Sequence, residues 1–528
     1  MKKIPAKYYL YTVILLLLLP ALLLNLGLLP LSADEATRAL VALEMKFSGN
    51  FITPTINGEY YFNKPPLYNW MLLGFYEIGN SYSELIIRLP VVIFLLLFGL
   101  AIYLGIRKKT GNQAAAISAL AFITCGRILF YDSMMGLIDT SFSLLIFLNF
   151  LLIYKLLTKE KYLQLFIFSY LITSVAFMMK GLPAIVFQGI TLLVTLFFFK
   201  KKEKIISWPH LTGIGTFIVL VGSYYFLAWM ENPTREYFHT LINESTKRTF
   251  IEYGLGNTLI HILTFPFEQF YHLLPWSVLF IYLFDSRFYR KIRQNKFLSF
   301  LALVFIFNIP VYWVSPETYP RYLFMLYPIL LILLVNHHFY LKKNKSKLPV
   351  ILEWLFFSLI LLVIPGLLAG TYFYEFIDEE RIKLVLLLII FFIIAIANLY
   401  LLLKKYRMEL LVITLLGLRL AFNFAVIPQR LEESRITLQK EQAIQLAKVA
   451  EKNEIHLYWL ATCSHETSYY ISRETGRILH RYRGEFYPNT LYLVDDRDPV
   501  RKGEEILFRM ETRWQNSPLR LSRFSEIP

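Results

Sequence analysis

Apolar residues recur along the chain in blocks of about 20, the length that crosses a hydrocarbon core as a helix. The blocks fall at residues 8–29, 84–106, 113–131, 137–157, 163–179, 182–199 and 211–230, and again at 267–284, 297–314, 321–341, 350–372, 382–403 and 408–426. The pattern predicts about thirteen membrane-spanning helices. Residues 67–78 are apolar but too short to span, which places them at the interface. After residue 430 the pattern changes to charged and mixed: a helix is expected over 438–452 and another over 465–473, with strand-like runs at 456–460 and 490–494. The tail therefore reads as a small α/β domain at 428–528, following a membrane domain at 1–427.

Composition agrees with this picture. A chain that is 56% hydrophobic and 17% charged has too little polar surface to cover a soluble globule of its size. Its net charge of +16 would point to nucleic acid in a soluble protein, but the basic residues cluster between apolar blocks, where they act as topology signals. No nucleic-acid partner is expected. Lys2, Lys3 and Lys7, Arg107 to Lys109, Lys155 to Lys161, Lys200 to Lys204, Arg287 to Lys296, Lys342 to Lys347 and Lys404 to Arg407 all fall on one side if the block count is right. The positive-inside rule makes that side cytoplasmic. The loops at 30–83 and 231–266, and the tail, then face the periplasm of a bacterial inner membrane. The first block is longer than a signal-peptide core and lacks a small-residue exit, so it is expected to remain as a helix. Two cysteines, Cys125 and Cys463, offer neither a disulfide framework nor a metal cluster.

The first external loop holds the densest candidate chemistry. Asp34 and Glu35 open a stretch of helical composition, where a helix dipole favours acidic residues. Pro65 and Pro66 fix the backbone beside Lys64, and Tyr60, Tyr61, Phe62, Tyr68 and Trp70 place aromatic rings at headgroup level. A cation held near carboxylates at the water–lipid boundary suits a phospholipid head; the bland alternatives are a plain helix start and an interfacial anchor. Asp132 and Asp139 lie near the turn between the third and fourth blocks, and a carboxylate inside or beside a membrane helix is costly enough to be a functional candidate. Asp139, just inside the helix, is the preferred one of the two. His239, His261 and His272 show no ligand spacing.

This loop resembles that of the lipid A aminoarabinose transferase and protein O-mannosyltransferase superfamily, GT-C enzymes that use polyprenyl-phosphate sugars. The resemblance rests on Asp34-Glu35, Glu44-Met45, the Gly49 to Pro54 string and the Tyr61-Phe62-Asn63-Lys64-Pro65-Pro66-Leu67 string with Trp70. It continues, in the family's order, through Arg88-Leu89-Pro90, Met179 to Pro183, Glu244 with Arg248, Leu274 to Ser277 and Tyr319 to Tyr322. It covers roughly the first 330 residues; hydropathy alone continues it beyond. Thr37 stands where the family usually has Arg, with Arg38 one position later; Asn63 and Ser245 replace a common Glu and His. Where a metal is found near this site in the family, those last two positions are natural ligands, so no metal site is expected and no cofactor is predicted, leaving a divalent cation open.

The resemblance implies a polytopic α-helical GT-C fold with juxtamembrane helices, and a sugar transfer from a polyprenyl phosphate, with inversion, to lipid A, an exported protein or an envelope glycan. Asp34 is the expected catalytic carboxylate, either taking a proton from a hydroxyl acceptor or positioning an anionic one, with Asp139 beside it. Lys64, Arg38, Lys180, Arg248, Arg321 and Arg127 are expected to bind the donor phosphate, each having snorkelling to a headgroup as its bland alternative. Glu35, Tyr61, Glu244 and Tyr319 are expected to contact acceptor or sugar. A transporter or flippase, or a polymerase for polyprenyl-linked glycans, is the competing reading; the first should show polar breaks near the bilayer midplane and an internal repeat.

Overall fold

The computed structural model describes residues 5–232, 240, 243, 250–373, 379–451, 453–510 and 518–525. The chain is a multi-spanning membrane protein. Among the described residues seven helices are long and apolar enough to cross a membrane, including Ala6–Leu23, Glu84–Thr110, Asp139–Leu157 and Tyr162–Lys180; a bent pair raises the number to eight if it counts as one span. Further helices occupy remaining blocks, among them Pro183–Phe198, Leu348–Phe373 and Glu379–Leu402. The short apolar segment expected at the interface is a helix at Leu67–Gly79.

The departures from straight spans have identifiable causes. Where one helix was expected over 267–284, a helix at Phe250–His272 ends and a 3₁₀ helix runs over Trp276–Phe284. Pro275 between them supplies no amide to continue the ladder. The carbonyl of Leu274 turns instead to the amide of Gly126, 2.7 Å away. Gly126 sits at the 48° bend between Asn112–Ile123 and Gly126–Met134, and a Cβ there would lie 2.9 Å from the Leu274 carbonyl oxygen. The Trp276 indole donates to Thr124 Oγ1 at 3.0 Å, so the two irregular segments satisfy each other's polar groups. The first and last membrane helices are joined similarly: Arg419 and Asn423 donate to the carbonyl of Ala21 at 3.1 and 2.9 Å, near the end of the Ala6–Leu23 helix where carbonyls lack helical partners.

A buried ion pair holds the first loop against this framework. Glu35 is fully buried, and Arg88, 3% exposed, donates to both its oxygens at 2.7 and 3.1 Å. The same guanidinium donates to the carbonyls of Leu26, Leu29 and Pro30 at 2.8–2.9 Å. Glu35 also accepts from the amides of Ser32 (3.0 Å) and Gly136 (2.7 Å). One pair thus gathers the chain leaving the first span, the Asp34–Ser48 helix, the Glu84–Thr110 helix and the turn before Asp139.

The tail folds as a five-stranded sheet with two helices, Arg435–Val449 and His465–Thr475. After a first-loop hairpin of β1 (Thr55–Ile56) and β2 (Glu59–Tyr60), the tail contributes β3 (Ile455–Tyr458), β4 (His480–Tyr482), β5 (Leu491–Asp495), β6 (Glu504–Met510) and β7 (Leu519–Phe524). Their order is β4-β3-β5-β7-β6, with β3 parallel to β4 and β5 and the β5–β7–β6 pairs antiparallel. Both tail helices and the 456–460 and 490–494 strands match the expected pattern within a few residues, whereas β4, β6 and β7 were not read from sequence. β4 is only three residues long, β6 opens on two glutamates, and buried Arg520 interrupts β7; Arg520 is satisfied by Glu504 at 2.6 Å and by the carbonyls of Asp495 and Asp498.

Removing one partner of a buried ion pair leaves the other charge unpaired, a loss of about 3–5 kcal/mol. Arg88→Ala is therefore expected to lower the midpoint of thermal unfolding of the purified protein by several degrees. Replacing both partners together, as Arg88→Met with Glu35→Gln, is expected to recover part of that loss.

Candidate functional site

The Asp34–Ser48 helix starts on a residue of unusual backbone. Ala33 has φ 52° and ψ −133°, outside the ordinary regions for a residue with a Cβ. Asp34 follows and presents a side chain that is 63% exposed. Arg321 Nη2 lies 2.6 Å from Asp34 Oδ2, and its Nε lies 3.2 Å from Asp139 Oδ2. Asp139, 3% exposed, also pairs with Lys180 at the end of the next helix. Asp34, Arg321, Asp139 and Lys180 thus form one alternating chain of charges.

Aromatic rings flank the cations. The Lys180 ammonium lies 4.0 Å above the Tyr322 ring and the Arg321 guanidinium 4.3 Å above the Tyr319 ring. Lys64, half-buried beyond the first-loop hairpin, is close enough for its charge to act on Asp139. Arg127 pairs with Asp132 at 3.0 Å and lies 4.0 Å above Tyr131; the charges of Arg321 and Asp139 also reach Asp132. Arg38, 8% exposed, donates from Nη2 to the Tyr61 hydroxyl, while its buried Nη1 has no hydrogen-bond partner among the described residues. The Tyr68 hydroxyl is likewise buried without such a partner, within electrostatic reach of Glu35, Asp139 and Arg38.

One expected site residue, Glu35, lies away from the open side of the cluster. Glu35 was expected to contact acceptor or sugar; buried against Arg88 with both oxygens occupied, it orders the loop that presents Asp34. Glu44, from the Glu44-Met45 element, accepts from Thr55 Oγ1, Asn57 N and Gly58 N at 2.6–3.2 Å, fastening the hairpin tip, and its burial pushes its carboxyl above the usual range. Asn57 and Gly58 both have positive φ, as a two-residue Asn-Gly hairpin turn requires. Tyr319, 40% exposed, faces Arg321. Glu244 and Arg248 lie outside the described residues. Among the described residues no three of His, Cys, Asp and Glu converge as metal ligands.

The tail also contributes to the site, which hydropathy and motif spacing do not reveal. His465 Nδ1 is 2.7 Å from Thr37 Oγ1, Glu466 Oε1 accepts from the amide of Ala33 at 2.9 Å, and the Tyr470 hydroxyl accepts from the amide of Leu31 at 2.8 Å. Tyr470 donates in turn to Glu84, which Lys440 also contacts at 2.6 Å. At the hairpin, Arg481 N donates to the carbonyl of Asn57 at 2.8 Å and Arg483 pairs with Glu59 at 2.5 Å. A Cβ on Gly58 would come within 2.2 Å of the His480 ring, so only glycine allows this approach.

Residues 63–229 match the family model described as dolichyl-phosphate-mannose-protein mannosyltransferase. An uncharacterised protein of Aquifex aeolicus (strain VF5) is 26% identical over 504 residues, covering 93% of each chain. The crystal structure of ArnT from Cupriavidus metallidurans bound to undecaprenyl phosphate superposes with a TM-score of 0.70 at 16% identity, over 97% of both chains. Its apo form gives 0.67 over 98% of both. That likeness establishes the fold, including the small sheet domain at the C-terminal end.

Burial holds the His465 imidazole below the usual histidine range, with Glu466 and Asp34 opposing the shift and Arg38 adding to it. A folded state that binds fewer protons than the unfolded chain has its full contribution above the unfolded value of about 6.5 and loses it as pH falls toward the folded one. Thermal midpoints measured from about pH 7 down to about pH 5 are therefore expected to fall less in His465→Gln than in the natural protein.

Proposed function

We propose that this chain, a GT-C superfamily protein by its fold, is a membrane glycosyltransferase that moves a sugar from a polyprenyl phosphate to an acceptor at the outer face of the inner membrane. The observation that carries the reading is the exposed carboxylate of Asp34 at the end of a buried charge chain containing Arg321 and Lys180, with Lys64 and Arg38 beside it. The phosphate-binding ArnT fold, and the mannosyltransferase model matched over residues 63–229, support it.

In the proposed reaction the acceptor oxygen bonds to the anomeric carbon as the bond from that carbon to the phosphate oxygen breaks. The electron pair of the broken bond stays on the phosphate, so the leaving group needs cations and not an acid. Arg321 offers a planar two-toothed donor and Lys180 and Lys64 point charges for that purpose. An acceptor hydroxyl passes its proton to Asp34, the most open of the site's carboxylates; an acceptor that is already anionic is oriented by it instead. A single displacement of this kind inverts the anomeric centre.

The lipid tail needs an apolar surface, for which one cavity is the candidate. A cavity of about 450 Å³ is lined by Phe265, Phe280, Ile309, Trp313, Leu330 and Leu333, among others. Tyr312, next to Trp313, packs against Tyr322 with ring centroids 5.6 Å apart, and Lys180 sits over that second ring. Lipid A, an exported protein and an envelope glycan remain the acceptor classes, and no residue of the site favours one sugar.

Asp34→Asn, expressed at the natural protein's abundance, is expected to lower transfer about 10²–10⁴-fold if Asp34 takes a proton. The measurement is mass spectrometry of lipid A, exported proteins and surface glycans from cells carrying each form. A sugar mass lost from one class identifies the acceptor, whereas all three unchanged would overturn the assignment.

A further inference from the structure

We infer that the tail completes the active site: His465 and Glu466 are positioning residues that hold the backbone from which Asp34 projects. The inference rests on the reading of Asp34 above and concerns what keeps that carboxylate in place. Ala33, immediately before it, holds a conformation that costs about 1–3 kcal/mol and persists only when its surroundings over-determine it. Two of the amides around it are secured from within the loop or by the tail: Ser32 N by Glu35, and Leu31 N by the Tyr470 hydroxyl. The amide of Ala33 itself is held by the Glu466 carboxylate, a charge-assisted hydrogen bond of the stronger kind. One turn into the helix, Thr37 meets His465.

These contacts come from a helix that is itself well anchored. Ser464 caps His465–Thr475 by accepting from the Thr467 amide at 3.2 Å. Glu466 and Tyr470 are four positions apart and so share a face. Behind that face, Glu84 at the start of its membrane helix receives Tyr470, Lys440 and Arg473. The tail is thereby braced on the membrane domain, and the brace transmits to the residue beside Asp34. The contacts of Arg481 and Arg483 with Glu59 fasten the same domain at the hairpin, away from Ala33. Docking alone would make both sets equivalent. Positioning makes them separable.

The test uses the full-length protein in lipid nanodiscs, with Glu466→Ala, Glu466→Gln, His465→Ala and, as a docking control, Glu59→Gln. Amide hydrogen exchange is read by mass spectrometry for the peptide covering residues 31–38. Glu466→Ala is expected to speed exchange there roughly tenfold, the loss of one charge-assisted hydrogen bond. Glu466→Gln keeps an acceptor oxygen and is expected to restore protection, and Glu59→Gln to leave it unchanged. Unchanged exchange in Glu466→Ala would overturn the inference whatever the protein transfers.

Turnover with a polyprenyl-phosphate sugar supplies the second arm. Glu466→Ala and His465→Ala are expected to lower kcat up to about 10²-fold with the donor KM held, since a misplacement of about 1 Å can cost that much. Glu466→Gln is expected to recover most of it. Natural kcat in Glu466→Ala, in a preparation where Asp34→Asn is inactive, would remove the positioning role. Full transfer by Asp34→Asn would instead remove the reading of Asp34, while the exchange arm still decides whether the tail holds Ala33.

Discussion

The Glu35–Arg88 pair is the constraint on which the rest of the candidate site depends. A carboxylate and a guanidinium buried together are stable only if their remaining hydrogen-bonding capacity is met. Here the requirement is met by backbone from separate segments: three carbonyls leaving the first span, and the amides of Ser32 and Gly136. Because those segments must converge to satisfy the pair, Asp34 and the turn leading to Asp139 are brought to one place. Gly136 shows how tight the convergence is, since a Cβ there would sit 2.8 Å from an Ile87 methyl and 3.0 Å from the Ile87 carbonyl oxygen.

Around this centre the charges alternate. Asp34, Arg321, Asp139 and Lys180 follow one another, and Arg127 with Asp132 forms a neighbouring pair. Carboxylates that hold cations in a poorly solvated site keep those cations charged and oriented, at the cost of competing with any anionic ligand. In the proposed reaction a donor phosphate has to compete with Asp139 and Asp34 for these cations. The rings of Tyr319 and Tyr322 pack against the same cations.

Much of this was legible in the sequence because lipid imposes a coarse rule. A helix that crosses it must be apolar for about 20 residues, so the helical blocks, the interfacial 67–78 segment and the basic clusters stood out. The ordered string from Asp34 to Trp70 marked the first loop as the candidate site. Other features left no local trace. The break at Pro275 depends on a carbonyl reaching Gly126, across some 150 positions of chain. Glu35 looks like Asp34 in sequence; burial against Arg88 distinguishes their roles. His465, Glu466 and Tyr470 look like ordinary members of a polar helix, and only tertiary contact over more than 400 positions connects them to the loop.

That separation also bears on biogenesis. Leu31 and Tyr470 are 439 positions apart, so the loop emerges from the ribosome long before the residues that secure it. Contacts of such high sequence separation form late in folding, after the intervening chain has been closed into a loop. The charged pocket therefore stays unfinished until every span has inserted and the tail has joined the first loop on the same side of the membrane. A chain that stops or mis-inserts before residue 465, whatever its helices, lacks the contacts that meet Ala33 and Thr37 beside Asp34.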